Sequence, residues 1–353
     1  MTEPAVTVAL DANGADAGPA EVLRGAVEAV RADPGLRVVV YGPGGELSAA
    51  GAHERVHVAD APVSIAKAGD PARAVRATPE SSIVQAARAL GGGAADALVS
   101  GGSTGAALAA GLFHVKRARG IHRPALAILV PVPGRPFLLL DCGANVDVRP
   151  EHLVQFAHMG AAFMQAVAGV ERPRVALLSN GAEPTKGTAD VVAAHEAIAA
   201  APGALNFVGN VEGFAIGSGD ADVLVADGFT GNVALKVMEG TSKALLDAVR
   251  AAAMSSPRAK AGGLLLKPAL RGLRDEIDPE LQGGAVLLGL RGLVVVPHGS
   301  FGARGFAAAV AVAARGVRSR VVARTHAALE AAGALRRAPL ASGEAATVTG
   351  HDA

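Results

Sequence analysis

Cysteine occurs once in the 353 residues, at Cys142, so the chain can form neither an internal disulfide nor a cysteine metal cluster. Tryptophan is absent, aromatic residues make up 3%, and the formal net charge is +1. Stacking platforms and a basic footprint are therefore both missing, and no nucleic-acid partner is expected. No apolar run reaches the ~18 residues of a spanning helix. The opening Met-Thr-Glu-Pro lacks the basic and apolar regions of a signal peptide. A cytoplasmic protein is expected, with at most peripheral attachment to a membrane surface. None of the glycine-rich loops reads Gly-x-x-x-x-Gly-Lys-Ser/Thr, and the first strand does not lead into Gly-x-Gly-x-x-Gly, so neither nucleotide fingerprint is present.

Hydrophobic residues make up half of the chain, and there are 45 glycines. That composition suits a sizeable core with tight loops and close helix–sheet packing. Short apolar runs predict strands at 6–10, 36–41, 57–59, 97–99, 125–130, 137–140, 175–178, 206–208, 223–226 and 292–296. The pair 125–130 and 137–140 is separated by Pro131-Val-Pro-Gly134 and reads as an antiparallel hairpin. Helical patterns follow most of the other runs, so the fold class is α/β, with a doubly wound, mostly parallel sheet in an αβα sandwich. Residues 67–79 are polar and read as an exposed loop. A single domain over 1–337 is expected, with a small, polar and disordered tail at 338–353.

The most informative stretch runs from Asp222 to Glu239. A buried-type run, Val223 to Ala226, stops at the turn pair Asp227-Gly228, and a helical pattern follows with Thr230 or Asn232 as its expected N-cap. Lys236 is placed in or near the first helical turn, where a cation is disfavoured unless an anion binds there. Strand, polar glycine-rich loop and helix recur at Asp11, Ser100, Asp141, Ser179, Asp227 and His298. In a parallel sheet these loops are expected along one edge, converging on phosphate or another small anion. The carboxylates of Asp11, Asp141 and Asp227 could orient lysines, cap helices or hold a divalent metal.

The motifs Asp11-Ala-Asn-Gly, Gly120-Ile-His-Arg-Pro-Ala125, Leu138-Leu-Leu-Asp-Cys-Gly-Ala-Asn-Val-Asp147, Pro150-Glu-His-Leu-Val154, Gly209-Asn-Val-Glu-Gly213 and Asp227-Gly-Phe-Thr-Gly-Asn-Val233 resemble the PlsX family, the phosphate acyltransferases of bacterial phospholipid synthesis. The resemblance covers nearly all of residues 6–315. It implies an isocitrate/isopropylmalate dehydrogenase-like fold with a helical hairpin extension. It implies transfer of a fatty acyl group from acyl carrier protein to inorganic phosphate, with neither cofactor nor metal. It also implies a homodimer, peripheral membrane contact, and a downstream glycerol-3-phosphate acyltransferase that uses the acyl phosphate.

The catalytic candidates that follow are Lys186 for phosphate or the developing oxyanion, Asn232 as a second donor, and His298 to protonate the leaving thiolate or hold phosphate. His298 reads equally well as a structural residue at a strand end. The phosphate- and acyl-binding candidates are Asp11, Ser100, Gly102, Ser103, Thr104, Gly105, Asp141, Asn145, Glu183, Asp227, Gly228, Thr230, Gly231 and Lys236. Seven positions depart from the usual family pattern: Asn13, Ala15, Ala17, Ser103, Phe214, Gln282 and Phe301. The stretch 250–274 is basic and interleaved with leucine, and Gly262-Gly263 is expected to break it into a hairpin. Arg258, Lys260, Leu264, Leu265, Leu266, Lys267, Leu270 and Arg271 then form a membrane or carrier-protein surface. A short-chain coenzyme A:phosphate acyltransferase and a weakened membrane-bound scaffold are the alternative functions.

Overall fold

Valine- and leucine-rich runs bounded by glycine build the sheet. The computed structural model describes residues 4–51, 53–201 and 203–336; the tail expected at 338–353 lies outside the described residues. Eleven strands form one sheet: β1 (Val6–Asp11), β2 (Leu36–Gly42), β3 (Val56–Asp60), β4 (Ala97–Ser100), β5 (Ala125–Val130), β6 (Phe137–Leu140), β7 (Arg174–Ser179), β8 (Asn206–Glu212), β9 (Val223–Val225), β10 (Ala285–Leu288) and β11 (Leu293–Val296). Their order is β3-β2-β1-β4-β11-β10-β5-β6-β9-β7-β8.

Every residue of β4, β6, β9, β10 and β11 is buried, as expected of strands covered by helices on both faces. One face packs against α1 (Pro19–Ala32), α6 (Pro150–Val167), α7 (Ala189–Ala199), α10 (Ala303–Arg318) and α11 (Val321–Ala331). The other packs against α3 (Pro71–Ala77), α4 (Ser82–Gly91) and α5 (Thr104–Ala110). A short α2 (Gly44–Ala49) follows β2. The mostly parallel sandwich expected from the alternating pattern is the observed fold.

The strand directions overturn one expectation. β1, β2, β3, β4 and β11 are mutually parallel. β10 is antiparallel to both β11 and β5, and β5 is antiparallel to β6. Three reversals in succession turn the remaining strands, β6, β9, β7 and β8, against the first group. The six polar loops therefore do not share one edge. The Asp11, Ser100 and His298 loops leave one edge of the sheet; the Asp141, Ser179 and Asp227 loops leave the opposite one.

Three local readings also change. Residues 71–77 are helical, not loop, because Pro71 takes the first helical position and the Asp70 side chain caps it by accepting from Arg73 N at 3.0 Å. The strand expected at 206–208 runs on through Glu212 as β8. The hairpin consists of α8 (Gly228–Met254) and α9 (Pro257–Glu276), and it turns at Ser255-Ser256, not at Gly262-Gly263. Ser256 caps α9 by accepting from Ala259 N at 3.1 Å, with Pro257 behind it. Two glycines inside a helix cost about 1 kcal/mol each and do not by themselves end it.

Candidate functional site

At the second edge, β7 and β9 lie side by side; the loop after β7 carries Lys186, and Asn232 lies early in α8, the helix that follows β9. Lys186 sits in a tight turn, its N–H donating to Glu183 O at 3.0 Å. The aliphatic stem of Lys186 and the carboxylate of Glu183 both lie over Gly181, where an added Cβ would fall 2.5 Å from Lys186 Cγ. The ammonium is exposed and makes no ion pair among the described residues. Beneath the turn, buried Asn210 donates through Nδ2 to Glu183 O at 2.9 Å and to Lys186 O at 3.4 Å. Its Oδ1 is paired with buried His195 Nδ1 at 3.0 Å. The lysine is thus held from below by two residues that sequence reasoning did not select. Asn210 lies in the Gly209-Asn-Val-Glu motif, so a signal was present; His195 stands alone in a helix and gave none.

The Asp141 turn leaves β6, which flanks β9 on the side away from β7. Asp141 Oδ1 accepts from the N–H groups of Leu126, Gly143 and Ala144 at 3.0–3.2 Å, and Oδ2 accepts from Asn145 N and Nδ2 at 2.7 and 2.8 Å. Burial pushes its pKa up against these bonds. Five donors use up the carboxylate and the turn's own N–H groups, so Asp141 organises the turn and is not free to meet phosphate. Asn145 is equally committed: Nδ2 reaches Pro124 O at 2.7 Å, and its carbonyl accepts from Gly228 N at 2.7 Å.

α8 starts directly on this turn. An added Cβ at Gly231 would lie 2.0 Å from Asp141 O, and one at Gly228 would lie 2.6 Å from Asn145 O, so only glycine allows the approach. The cap is Asp227, not Thr230 or Asn232. Asp227 accepts from Thr230 N at 2.8 Å and from Thr230 Oγ1 at 2.7 Å. With Gly228 N and Thr230 N already bonded and a carboxylate at the N-cap, this helix end is not an open anion site. Lys236 lies more than two turns into α8 and pairs with Glu239 at 2.8 Å, which removes the argument from an unfavourable first-turn cation. Asn232 remains available beside the turn, its side chain against Gly143.

Cys142 is buried, its Sγ donates to Leu139 O at 3.1 Å, and burial pushes the thiol well above its ordinary pKa. It is therefore not an activated nucleophile.

The first edge carries a separate cluster. Asp11 is fully buried; its Oδ2 accepts from Ser100 Oγ at 2.7 Å and its Oδ1 from Asn13 N at 3.1 Å. Burial raises its pKa to about 6 despite these bonds. Asn13 bridges Ala61 O and Ser82 Oγ, each at 3.0 Å. Ser100 Oγ also accepts from Gly102 N at 3.2 Å, and Ser103 caps α5 by accepting from Ala106 N at 3.2 Å, with Thr104 and Gly105 in the first turn. His298 is exposed; its Nδ1 lies 2.7 Å from Ser300 Oγ and accepts from Ser300 N at 3.3 Å, which directs Nε2 outward. His298 is therefore grouped with Asp11 and Ser100, not with Lys186 and Asn232. For the same reason Asp11 cannot share a metal with Asp141 and Asp227. Of the departing residues, Phe301 is buried beside His298, with ring centroids 6.1 Å apart, and Phe214 is 88% exposed.

The fatty acid synthesis protein family model matches residues 6–324. The chain belongs to this family. A phosphate acyltransferase of Heliobacterium modesticaldum is 43% identical over 322 residues, covering 90% of this chain and 95% of its own. One from Levilactobacillus brevis is 44% identical over 299 residues, covering 83% and 86%. The protein is an acyltransferase. Among solved structures, a phosphotransacetylase from Streptococcus pyogenes superposes with a TM-score of 0.61 at 16% identity, covering 88% of this chain and 94% of its own. A branched-chain phosphotransacylase from Enterococcus faecalis gives 0.55 at 18% identity, covering 88% and 99%. These two likenesses concern the fold.

Proposed function

We propose that the protein transfers a fatty acyl group from the thioester of acyl carrier protein to inorganic phosphate, forming acyl phosphate for phospholipid synthesis. The observation that carries this reading is the position of Lys186, in the loop after β7, and Asn232, early in α8 after β9, both beyond the carboxyl ends of neighbouring parallel strands. Strands so paired lie roughly 4.8 Å apart, so the segments carrying the two residues leave the sheet side by side. The family relationship supports acyl transfer to phosphate, since the curated relatives carry the name phosphate acyltransferase.

Phosphate is already anionic at neutral pH and needs positioning more than deprotonation. One of its oxygens attacks the thioester carbonyl carbon. The new C–O bond leaves charge on the carbonyl oxygen, and the C–S bond then breaks to release the carrier's thiolate, which takes a proton. In this scheme Lys186 holds phosphate and Asn232 donates to the developing oxyanion. The inert Cys142 is consistent with direct attack and no acyl-enzyme. His298, on the other edge, is given no part in this step. The protein is further expected to work as a homodimer at the membrane surface, handing acyl phosphate to a glycerol-3-phosphate acyltransferase.

The test is acyl-phosphate formation from long-chain acyl carrier protein and phosphate, with coenzyme A thioesters run in parallel. Product from the carrier thioester, lost in Lys186→Ala, supports donor and site together. Preference for short coenzyme A thioesters would replace the donor. No product from folded wild type with either donor would favour a scaffold.

A further inference from the structure

We propose that His122, Glu151 and His152 form a zinc site that fastens the segment before β5 to the start of α6. The three side chains offer ligand atoms that all lie within 4.8 Å of one another. Around one tetrahedral ion, at bond lengths of about 2.0–2.2 Å, ligand atoms stand roughly 3.4 Å apart. The three groups need only small rotations to close on a single ion, with water in its fourth position.

Their supports are already fixed. His122 N donates to Gln155 Oε1 at 2.8 Å, and its carbonyl accepts from Arg117. Gln155 is buried and also binds Gly120 O and Ala334 O at 3.0 and 2.7 Å. Glu151 and His152 follow Pro150 in the first turn of α6, with the His152 ring 6.5 Å from Phe156 and 5.6 Å from His122. Binding gives up two contacts. His152 Nδ1 accepts from Arg149 N at 3.2 Å, a bond lost whichever ring nitrogen meets the metal. Arg149 also stands 3.8 Å from the Glu151 carboxylate.

The ligand atoms select the ion. Arg117, Arg149 and Arg336 act on His122, and Arg123 and Arg149 on His152, a basic field that weighs against every dication alike. Magnesium and calcium take oxygen ligands. Two imidazoles and one carboxylate suit zinc, which is held largely by nitrogen donation. Pro124, two residues beyond His122, accepts from Asn145 of the Asp141 turn. The ion would therefore stiffen the floor beside the candidate transfer site without entering the reaction.

The experiment titrates tag-free, metal-stripped full-length protein with Zn2+ by calorimetry and with Co2+ by its tetrahedral d–d absorption, and records thermal melts with and without Zn2+. One ion per chain is expected, together with a Tm that rises on adding zinc. His122→Ala and Glu151→Gln replace loop and helix-start side chains and leave the core intact. Each should weaken binding at least ~100-fold, beyond the typical cost of losing an outer hydrogen-bond partner of a metal ligand, and abolish the Tm rise. Arg149→Ala should tighten binding several-fold, because the competing cation beside Glu151 is gone. Absence of binding by wild type, or binding unchanged in His122→Ala and Glu151→Gln, overturns the site.

Discussion

Two residues at opposite edges of the sheet show how the same kind of side chain can be spent differently. Asp141 is consumed by five donors, whereas Asp11 meets the hydroxyls of Ser82 and Ser100 and the N–H of Asn13, and burial still raises its pKa to about 6. A folded-state pKa above the ordinary 3.8 means that the unfolded chain gives up this proton first as pH rises. The stability Asp11 contributes is thus present below pH 4 and lost between about pH 4 and 6, a change of roughly 3 kcal/mol for a shift of this size. Asp11→Asn should therefore raise Tm at pH 8 relative to wild type and lose that advantage at pH 4. Parallel melting curves for the two proteins would contradict the assignment. At the other edge, Asn210→Ala removes the support under Lys186 and leaves two carbonyls and His195 short of a partner. A loss of about 1–3 kcal/mol in stability is expected, with a raised KM for phosphate. An unchanged KM would mean that the lysine turn holds itself.

At the level of elements, the contact between α8 and the Asp141 turn sets the geometry of the proposed site, and glycine makes it possible. Gly231→Ala places a methyl group 2.0 Å from Asp141 O, so α8 must lift. A destabilisation of at least about 1–3 kcal/mol is expected in urea titrations, with activity falling further than Asn232→Ala alone would cause. Wild-type stability in this variant would show that the helix start is not seated as described. The strand–loop–helix units were legible because buried runs such as Leu138 to Leu140 and Val223 to Val225 end at sharp turn residues. Their relative direction was not. It depends on β10, whose four residues Ala285–Leu288 lie between glycines, a run too short to distinguish from a loop crossing the core. Without β10 the sheet reads as parallel apart from the β5–β6 hairpin, and the loops fall on one edge. Capping failed for a similar reason: Asp227 and Thr230 are both good caps, and the choice between them is made by the Asn145 carbonyl, which is remote in sequence. The motif residues Lys186 and Asn232 could be selected from sequence, and Asn210 carried a motif signal as well, but its pairing with His195 could be found only in three dimensions.

For the molecule as a whole, the unanswered surface is the hairpin. No residue of α9 is buried, and Leu264, Leu265 and Leu266 are 69%, 84% and 58% exposed. Among the described residues no helix is long and apolar enough to cross a membrane; the peripheral contact proposed above would bury these leucines in the face of a bilayer, and the competing occupant is a second copy of the chain. Arg258, Lys260, Lys267 and Arg271 on the same helix favour an anionic bilayer. Each basic residue near such a surface contributes about 1 kcal/mol, and each buried leucine about 1.5–3 kcal/mol. The two contributions separate experimentally, because salt screens only the first. Flotation with vesicles containing phosphatidylglycerol should show binding that weakens, without vanishing, as salt is raised, and that is weaker on neutral vesicles. Replacing Leu264, Leu265 and Leu266 by serine should abolish binding to both vesicle types while leaving Tm unchanged, since none of the three supports the core. If the triple variant still floats, the membrane reading fails. If it stays off vesicles but also dissociates from dimer to monomer in sedimentation, the same leucines belong to the contact between copies.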